Sequence, residues 1–475
     1  MEVLGLFAGL FLPWLLGVVW LRAPWFGASA VTWPVLLGYG YLAGALATTL
    51  IMRLLDLLGV RLGFLSIGAA LLLLIFAGAW LGRKTPWKWV GLGAEWRDLG
   101  GWRKTAYAIL LALIVIRLAG LGLEIIWRPL FPWDAWTQWA TKARVWYELG
   151  RLAPFVPAHE WLAGSAVGAF TDSAPHYPPA IPLLQVWMSY ALGRWDDTLM
   201  NLPWLLCAVA LGLAFYGQAR RRQIAPLPAL MFTYFLLSLP ILDVHVGLAG
   251  YADLFLGTVY GLAAMAFFHW ARTRDPWQGI MALLFGLGCI LIKQPGIGWA
   301  LTFLPALWVV FMPRIGLVGT AAVIAIGTLA LFAVGEQNIQ LLGYSLNLRF
   351  TADWGPFWDN MMVMDNWHLL WFMAVGALVV SRRKLLTPAY LSMTVLLVSA
   401  LTFLAVVFFF TQAQAWAKDF TTLNRALLHM APMLMFYLMV LLLPPLPKGE
   451  ASLVPAPESA PEPVPTPEPR VQPAA

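Results

Sequence analysis

The segment from Phe131 to Gly150 places acidic, basic and aromatic residues directly after an apolar stretch. Asp134 comes first, and Lys142 and Arg144 follow it along the same segment. A carboxylate can deprotonate a hydroxyl group, and nearby cations can bind an anion such as a phosphate. This combination indicates a reaction site rather than a simple connecting loop.

The same segment is predicted to form an interfacial helix. Aromatic and small residues recur with helical spacing on one face, at Trp136, Trp139, Ala140, Ala143, Trp146 and Tyr147. The segment is too polar to span a membrane, so we expect these aromatic side chains to lie among lipid headgroups and the helix to end at Gly150. The alternative to a reaction site is that Asp134 is only a helix N-cap and that Lys142 and Arg144 only contact headgroups.

The composition assigns the chain to the membrane proteins. Of its 475 residues, 61% are hydrophobic and 11% are charged, and the mean hydropathy is +0.75. The 27 tryptophans suit anchoring at membrane surfaces. The net charge of +7 is spread over short loops without a basic block, which argues against nucleic acid binding.

Thirteen apolar stretches have the length of transmembrane helices, roughly 17–25 residues. They lie at about 2–21, 32–52, 62–82, 105–127, 200–219, 226–242, 250–270, 277–294, 297–313, 315–334, 366–381, 386–410 and 427–444. We therefore predict an all-α polytopic membrane protein with about 13 transmembrane helices. Interfacial helices are expected in the first long outer loop, residues 128–199.

The distribution of lysine and arginine predicts the orientation, because cytoplasmic loops are enriched in both residues. With the N-terminus outside and the C-terminus in the cytoplasm, the inner segments hold 18 of the 30 Lys and Arg residues but only 7 of the 23 acidic residues. The opposite orientation would violate the rule. The loop that carries Asp134 is therefore predicted to face away from the cytoplasm.

Three regions are predicted along the chain. Residues 1–104 form an N-terminal extension of three spans followed by a basic cytoplasmic loop. Residues 105–445 form the membrane core, which carries the candidate site residues. Residues 446–475 are rich in Pro, Glu and Ala and have too few apolar residues to fold, so we expect a disordered cytoplasmic tail.

Asp243, His245 and Asp253 form a second polar group between two apolar stretches. They could bind a divalent metal, polarise a hydroxyl group or hydrogen-bond to one another. Carboxylate and imidazole ligands would suit a transition metal or zinc more than magnesium. Asp253 is equally typical of an acid at a helix N-terminus, where the helix dipole favours negative charge.

Lys293 lies near the end of an apolar stretch, beside Pro295. A cation at the centre of a membrane costs about 2.5–3.5 kcal/mol on insertion scales, so its presence indicates a function. The alternative is that the side chain extends to the membrane surface.

Five short motifs follow one another on the predicted outer side. In chain order they are Asp134 with Glu148-Leu149-Gly150, then His176-Tyr177-Pro178-Pro179, Gly250-Tyr251-Ala252-Asp253-Leu254, Lys293-Gln294-Pro295-Gly296 and Asn424-Arg425. Their types and order resemble the polyprenyl-phosphate-dependent GT-C glycosyltransferases, which include protein O-mannosyltransferases and the aminoarabinose transferase of lipid A. The chain departs from that family where Ala135 follows Asp134, because the family often has Asp-Glu there.

The resemblance implies a cell-envelope enzyme in a bacterial-type inner (plasma) membrane, with an extracytoplasmic active site. It would transfer a sugar from a polyprenyl-phosphate donor to a glycan, lipid or protein acceptor, with inversion. Asp134 would be the catalytic base, and the donor phosphate would bind Lys293 and Arg425, with Arg144 as a weaker candidate. The acceptor or donor, or a divalent metal, would contact Asp253, Asp243 and His245. Further pocket candidates are His176, Tyr177 and Lys142.

Two other function classes remain open at this point. A transporter or flippase of a lipid-linked or amphipathic substrate would use the same buried charges as a pathway. A scaffold in envelope assembly would use the Pro-rich tail as its docking segment.

Overall fold

Helices account for nearly all of the secondary structure in the computed structural model, which describes residues 2–22, 31–84, 96, 99–164, 166–341 and 344–446. The predicted tail from residue 447 onward and most of the loop between residues 85 and 98 lie outside the described residues.

The first ten α-helices are α1 (Glu2–Leu21), α2 (Trp33–Leu57), α3 (Phe64–Leu81), α4 (Gly101–Trp127), α5 (Thr141–Leu149), α6 (Ala158–Leu162), α7 (Ala180–Leu192), α8 (Leu202–Arg221), α9 (Pro226–Leu237) and α10 (Pro240–Gly247). They are followed by α11 (Asp253–Thr273), α12 (Pro276–Ile292), α13 (Gly296–Leu301), α14 (Phe303–Phe311), α15 (Pro313–Val334), α16 (Gly355–Trp358), α17 (Leu370–Val380), α18 (Arg382–Leu385), α19 (Leu391–Phe410), α20 (Gln414–Lys418) and α21 (Leu423–Leu442).

Short strands occur only in pairs in the described part of the chain. Strand β1 (Phe155–Val156) lies parallel to β2 (Phe170–Thr171). Strand β3 (Gln337–Leu341) pairs antiparallel with β4 (Tyr344–Leu348). The protein is therefore an all-α membrane protein with two minor strand pairs.

Nine described helices are long and apolar enough to cross a membrane: α1, α2, α3, α4, α8, α11, α15, α19 and α21. Helices α9 and α10 make a tenth span if they count as one, although they meet at a bend of 63°. The protein is thus a multi-pass membrane protein, but the prediction of thirteen spans is not confirmed. The stretches predicted at 277–294, 297–313 and 366–381 form shorter apolar helices instead.

Prolines and glycines explain why these stretches are interrupted. Pro240 lacks the N–H that a continuous helix requires, and α9 ends three residues before it. Pro295 and Gly296 separate α12 from α13 in the same way. Hydropathy does not reveal the break at Pro240, because the stretches on both sides of it are apolar.

Helix α11 forms the centre of the core and is buried along most of its length. It packs against α8, α12 and α21. The second helix of the N-terminal extension also enters this core, because Tyr39 on α2 donates a hydrogen bond to the carbonyl of Leu262 at 2.7 Å. The first three spans therefore pack directly against the predicted core.

The two ends of α11 differ chemically. Its first residue, Asp253, marks what we call the site end of the bundle. At its other end Arg272 donates to the carbonyl of Ala389, and Arg221 pairs with Asp275. We call this second end the basic end. The central helix therefore begins at a buried acidic residue and ends near exposed and half-buried arginines.

The first long loop does not place its aromatic face as predicted. Trp139 and Trp146 are 1% and 6% exposed, and both belong to the buried core rather than to an outward surface. Trp133 and Trp136 are the exposed ones. The prediction of headgroup contacts for the whole face is therefore wrong, since α5 and the preceding segment Ala135–Ala140 both pack on α7.

The end of α5 is fixed by the N-terminal extension. Gly150 has a φ of 67° and terminates the helix, as predicted. Its carbonyl accepts a hydrogen bond from the N–H of Leu62 at 2.8 Å, and Asp56 accepts one from Leu152 at 2.9 Å. The connection between α2 and α3 thus anchors the loop that follows Asp134.

Candidate functional site

Five polar side chains converge at the site end of the bundle. They come from four helices or helix junctions and are Asp134, Asp253, Lys293, Arg425 and His429. We call this group the Asp253 cluster. Four of the five were candidates from the sequence, and they lie up to 291 positions apart.

Asp253 is the centre of the cluster. Its side chain is fully buried, and its Oδ1 accepts hydrogen bonds from Lys293 Nζ and His429 Nε2, both at 2.8 Å. Its Oδ2 accepts from Nε and Nη2 of Arg425, at 3.0 and 2.7 Å. A buried carboxylate requires such compensation, so four donors hold Asp253 in its ionised form.

Arg425 connects the two carboxylates. While Nε and Nη2 contact Asp253, its Nη1 donates to Asp134 Oδ2 at 2.6 Å. The guanidinium also lies 4.4 Å from the ring centre of Tyr251, within cation–π distance. The Arg425 side chain is 15% exposed and that of Asp134 is 25% exposed. The cluster is therefore buried at Asp253 and partly accessible at Asp134.

Lys293 reaches Asp253 because the chain breaks directly after α12. Lys293 has extended backbone angles, and α13 begins three residues later. A Cβ atom at Gly296 would lie 1.9 Å from the carbonyl oxygen of Cys289, so this close return of the backbone requires glycine. The Lys293 side chain is 12% exposed and bonded to Asp253, rather than extended to a membrane surface.

Asp134 reaches Arg425 through a second close backbone approach. Gly250 has a φ of 111°, and a Cβ atom there would lie 2.6 Å from the Cβ of Ala135. Asp134 itself begins the π-helical segment Ala135–Ala140, but its side chain makes no capping hydrogen bond to that segment. The carboxylate binds Arg425 instead, so Asp134 does not act as a side-chain N-cap.

His429 is the member of the cluster that the sequence interpretation missed. It lies four residues after Arg425 on α21, and this spacing places both side chains on one helix face. Its Nδ1 accepts a hydrogen bond from Trp299 Nε1 at 3.0 Å. The spacing was the available signal, and it could have identified His429 once Arg425 was a candidate.

Asp243 and His245 do not join Asp253 as ligands. Asp243 pairs with Arg117 at 3.1 Å, away from the cluster contacts. His245 hydrogen-bonds the carbonyl of Ile241 through Nδ1 at 2.8 Å, and its ring lies 5.3 Å from that of Tyr251. Asp243, His245 and Asp253 therefore have different hydrogen-bond partners and do not form one site.

The donor set around Asp253 does not fit a metal ion. Two cations and one imidazole already face the Asp253 carboxylate, and a divalent cation placed there would be repelled by Lys293 and Arg425. Within the described residues, no group of three His, Cys, Asp or Glu side chains is arranged to hold a metal.

Lys142 forms a separate ion pair inside the first long loop. Its Nζ lies 3.0 Å from Asp172 Oδ2 and donates to the carbonyl of Ala174 at 2.6 Å. Burial lowers the pKa of the Lys142 ammonium group, while Asp172 acts in the opposite direction. Lys142 thus lies in a closed structural contact rather than in the Asp253 cluster.

The other three candidates belong to the first long loop. Arg144 pairs with Glu148 one turn along α5, at 2.7 Å, and is half exposed. Tyr177 stacks on Trp139 with ring centres 5.2 Å apart. His176 is an exposed residue of the same loop.

The cluster has the groups that proton abstraction and anion binding require. Two carboxylates balance two cations, Asp134 is accessible, and the cations have further N–H groups besides those bonded to Asp253 and Asp134. Fold and site together define a polytopic all-α membrane protein with a charged cluster at one end of its central helix.

No family model, curated protein or solved structure matches this chain.

Proposed function

We propose that this protein is a membrane glycosyltransferase. It moves a sugar from a polyprenyl-phosphate donor to an acceptor hydroxyl on the extracytoplasmic side of the membrane, with inversion at the anomeric carbon. The observation that supports this proposal is the convergence of Asp134, Lys293 and Arg425 in one hydrogen-bonded cluster. The order of the sequence motifs, taken together, had suggested these three residues.

Asp134 is the base in this proposal. It is the more exposed of the two carboxylates, and one contact ties it to Arg425, whereas Asp253 has four. The acceptor hydroxyl gives its proton to Asp134, and its oxygen attacks the anomeric carbon. The bond from that carbon to the phosphate oxygen breaks, and polyprenyl phosphate leaves with the bonding electron pair. A single displacement of this kind inverts the configuration.

Lys293 and Arg425 bind the phosphate and stabilise its developing charge. The departing phosphate is stable as an anion, so no separate acid is required. A phosphate that contacts Arg425 competes with Asp134 for the guanidinium, because both anions accept hydrogen bonds from the same N–H groups. Donor binding thereby releases the base from its ion pair.

A transporter or flippase is the second candidate, and two helix discontinuities favour it. Lys293 lies at a helix break, and the α9–α10 pair bends by 63°. Transporters place substrate sites at such discontinuous helices. The charged groups of the Asp253 cluster, however, lie at a single end of the central helix.

Sugar transfer by the Asp134→Asn variant tests the proposal. The wild type and the variant are purified in detergent and supplied with synthetic lipid-phosphate sugars. We expect Asp134→Asn to lower the transfer rate by about 10²–10⁴-fold, the usual contribution of a general base. It should also bind the phosphate lipid more tightly than the wild type, since the competing carboxylate is gone.

Asp365→Asn is the matched control. This acid is also located in a connecting segment, but its side chain is 91% exposed and lies 3.7 Å from His368. We expect wild-type transfer from this variant. Full activity of Asp134→Asn would contradict the base role. Absence of transfer with every donor, together with substrate flux across vesicle membranes, would support the transporter instead.

The proposed orientation is tested with single cysteines. Both natural cysteines, Cys207 and Cys289, are buried and should react slowly. Asn338→Cys in β3 is exposed at the site end, and Arg383→Cys in α18 is exposed among the basic residues. Impermeant reagents should label Asn338→Cys in intact cells and Arg383→Cys only after permeabilisation. The reverse pattern would overturn the orientation.

A further inference from the structure

Trp299, His429 and Asp253 form a hydrogen-bonded chain behind the proposed phosphate site. Trp299 Nε1 lies 3.0 Å from His429 Nδ1, and His429 Nε2 lies 2.8 Å from Asp253 Oδ1. All three side chains are buried. The indole of Trp299 does not contact the carboxylates, so it acts on the cluster only through His429.

The indole fixes the protonation state of the imidazole. An indole N–H can only donate a hydrogen bond, so His429 Nδ1 must accept it and carries no proton. The proton of the neutral ring is then on Nε2, where it is donated to Asp253. Protonation of Nδ1 would bring two N–H groups face to face and break the bond to Trp299.

Trp299 cannot easily turn away from His429. Its ring contacts those of Tyr260 and Phe403, with centres 4.8 and 5.2 Å away. Its backbone carbonyl accepts a hydrogen bond from Thr302, and Thr302 also bonds the hydroxyl of Tyr260. These contacts lock the indole in place on α13.

The charges that face His429 come from several elements. Asp253 lies at the start of α11, Lys293 follows α12, Arg425 lies one turn earlier on α21, and His245 lies on α10. Burial of the ring opposes an imidazolium most, two cations oppose it further, and one carboxylate favours it. The indole N–H adds a directional restriction that these charges do not supply.

We propose that Trp299 keeps His429 neutral across the range of about pH 5–8, in which an ordinary histidine changes its charge. His429 is then a positioning residue that holds Asp253 Oδ1 without adding a positive charge to the phosphate site. The effect on phosphate binding rests on the proposed function, whereas the neutral state of the ring does not.

Nitrogen NMR of ring-labelled histidines tests the protonation state directly. The chain has 6 histidines, and His429→Gln assigns the relevant signals. We expect the Nδ1 and Nε2 signals of His429 to stay constant in the wild type and the Nδ1 signal to titrate in Trp299→Phe. Trp187→Phe is the matched control, because it removes another buried indole N–H, bonded to the carbonyl of Gly9.

Three results would overturn the proposal: an Nδ1 proton on His429 in the wild type, titration of His429 in the wild type within this range, or unchanged signals in Trp299→Phe. These measurements need no substrate. A protein that shows the expected signals but no sugar transfer would leave this inference standing and remove the proposed function.

Binding of a short-chain polyprenyl phosphate provides the functional readout. Each affinity is divided by the wild-type value at the same pH, which cancels the protonation of the phosphate itself. For Trp299→Phe this ratio should rise several-fold from pH 8 to pH 5, because an imidazolium now adds a positive charge. Adding His429→Gln, which keeps an N–H donor but cannot titrate, should make the ratio flat again. A flat ratio for Trp299→Phe alone would refute the charge effect.

Discussion

Two buried lysine–aspartate contacts at the site end of the molecule differ in what surrounds them. Lys142 and Asp172 are 2% and 0% exposed and belong to the same loop, where Lys142 also donates to the carbonyl of Ala174 and Asp172 accepts from the N–H of Ala174. Asp253 binds both Lys293 and Arg425, and Arg425 also binds the partly exposed Asp134.

This difference separates a structural ion pair from a candidate site. The Lys142 pair is closed by its own backbone, so any anion that replaced Asp172 would have to enter the loop. In the Asp253 cluster the contact between Arg425 and Asp134 lies at the accessible edge. Both lysines are buried beside an aspartate. Only the Asp253 cluster also has an accessible ion pair, between Arg425 and Asp134, that an incoming anion can replace.

The strongest test of this comparison is Asp253→Asn. Removing the central charge leaves Lys293 and Arg425 without their main counter-ion, and breaking a buried pair in this way costs about 3–5 kcal/mol. We expect both a lower melting temperature and loss of sugar transfer in the surviving folded protein. Normal transfer by the folded variant would show that the cluster is only structural.

Lys142→Met should have a similar effect on stability but none on chemistry. It leaves the buried Asp172 carboxylate and the carbonyl of Ala174 without their N–H donor, and breaking a buried pair in this way costs about 3–5 kcal/mol. Transfer per folded molecule should equal that of the wild type. Combining it with Asp172→Leu should restore most of the melting temperature, since an apolar pair can replace a closed ion pair. A lower turnover in the double variant would remove the distinction between the two contacts.

The ionisation of Lys142 should change the stability of the protein with pH, by less than the Lys142→Met substitution does. Burial lowers the pKa of Lys142 from its ordinary value of 10.5, so at high pH the unfolded chain binds a proton that the folded chain has lost. Stability then rises with pH between the lowered value and 10.5. The melting temperature of the wild type should therefore increase relative to Lys142→Met as the pH approaches 10.5. A relative decrease would contradict the burial effect.

Arg144→Ala should have the smallest effect. Its bond to Glu148 is an exposed pair one helical turn apart, and such pairs contribute about 0.3–0.5 kcal/mol. Calorimetry should show little change, and transfer should be unaffected. A large fall in transfer with intact folding would return Arg144 to the candidates for phosphate binding.

The sequence identified four members of the Asp253 cluster but not their arrangement. Asp134, Asp253, Lys293 and Arg425 were recognisable because ionised groups beside apolar stretches are costly and therefore informative. His429 was missed, and the pocket candidate Lys142 pairs with Asp172 instead of with the cluster, because a linear pattern does not show which charges meet. The close backbone approaches at Gly250 and Gly296 bring Asp134 and Lys293 to the cluster.

The membrane class, the helical character and the chemical types of the site residues follow from the sequence alone, since apolar content and residue type are local properties. The tertiary structure decided the shortened helices, the burial of Trp139 and Trp146, and the separation of Lys142 from Lys293. Each of these depends on which distant segments pack together. That packing balances burial, hydrogen bonding and charge over the whole chain, so no single segment can specify it.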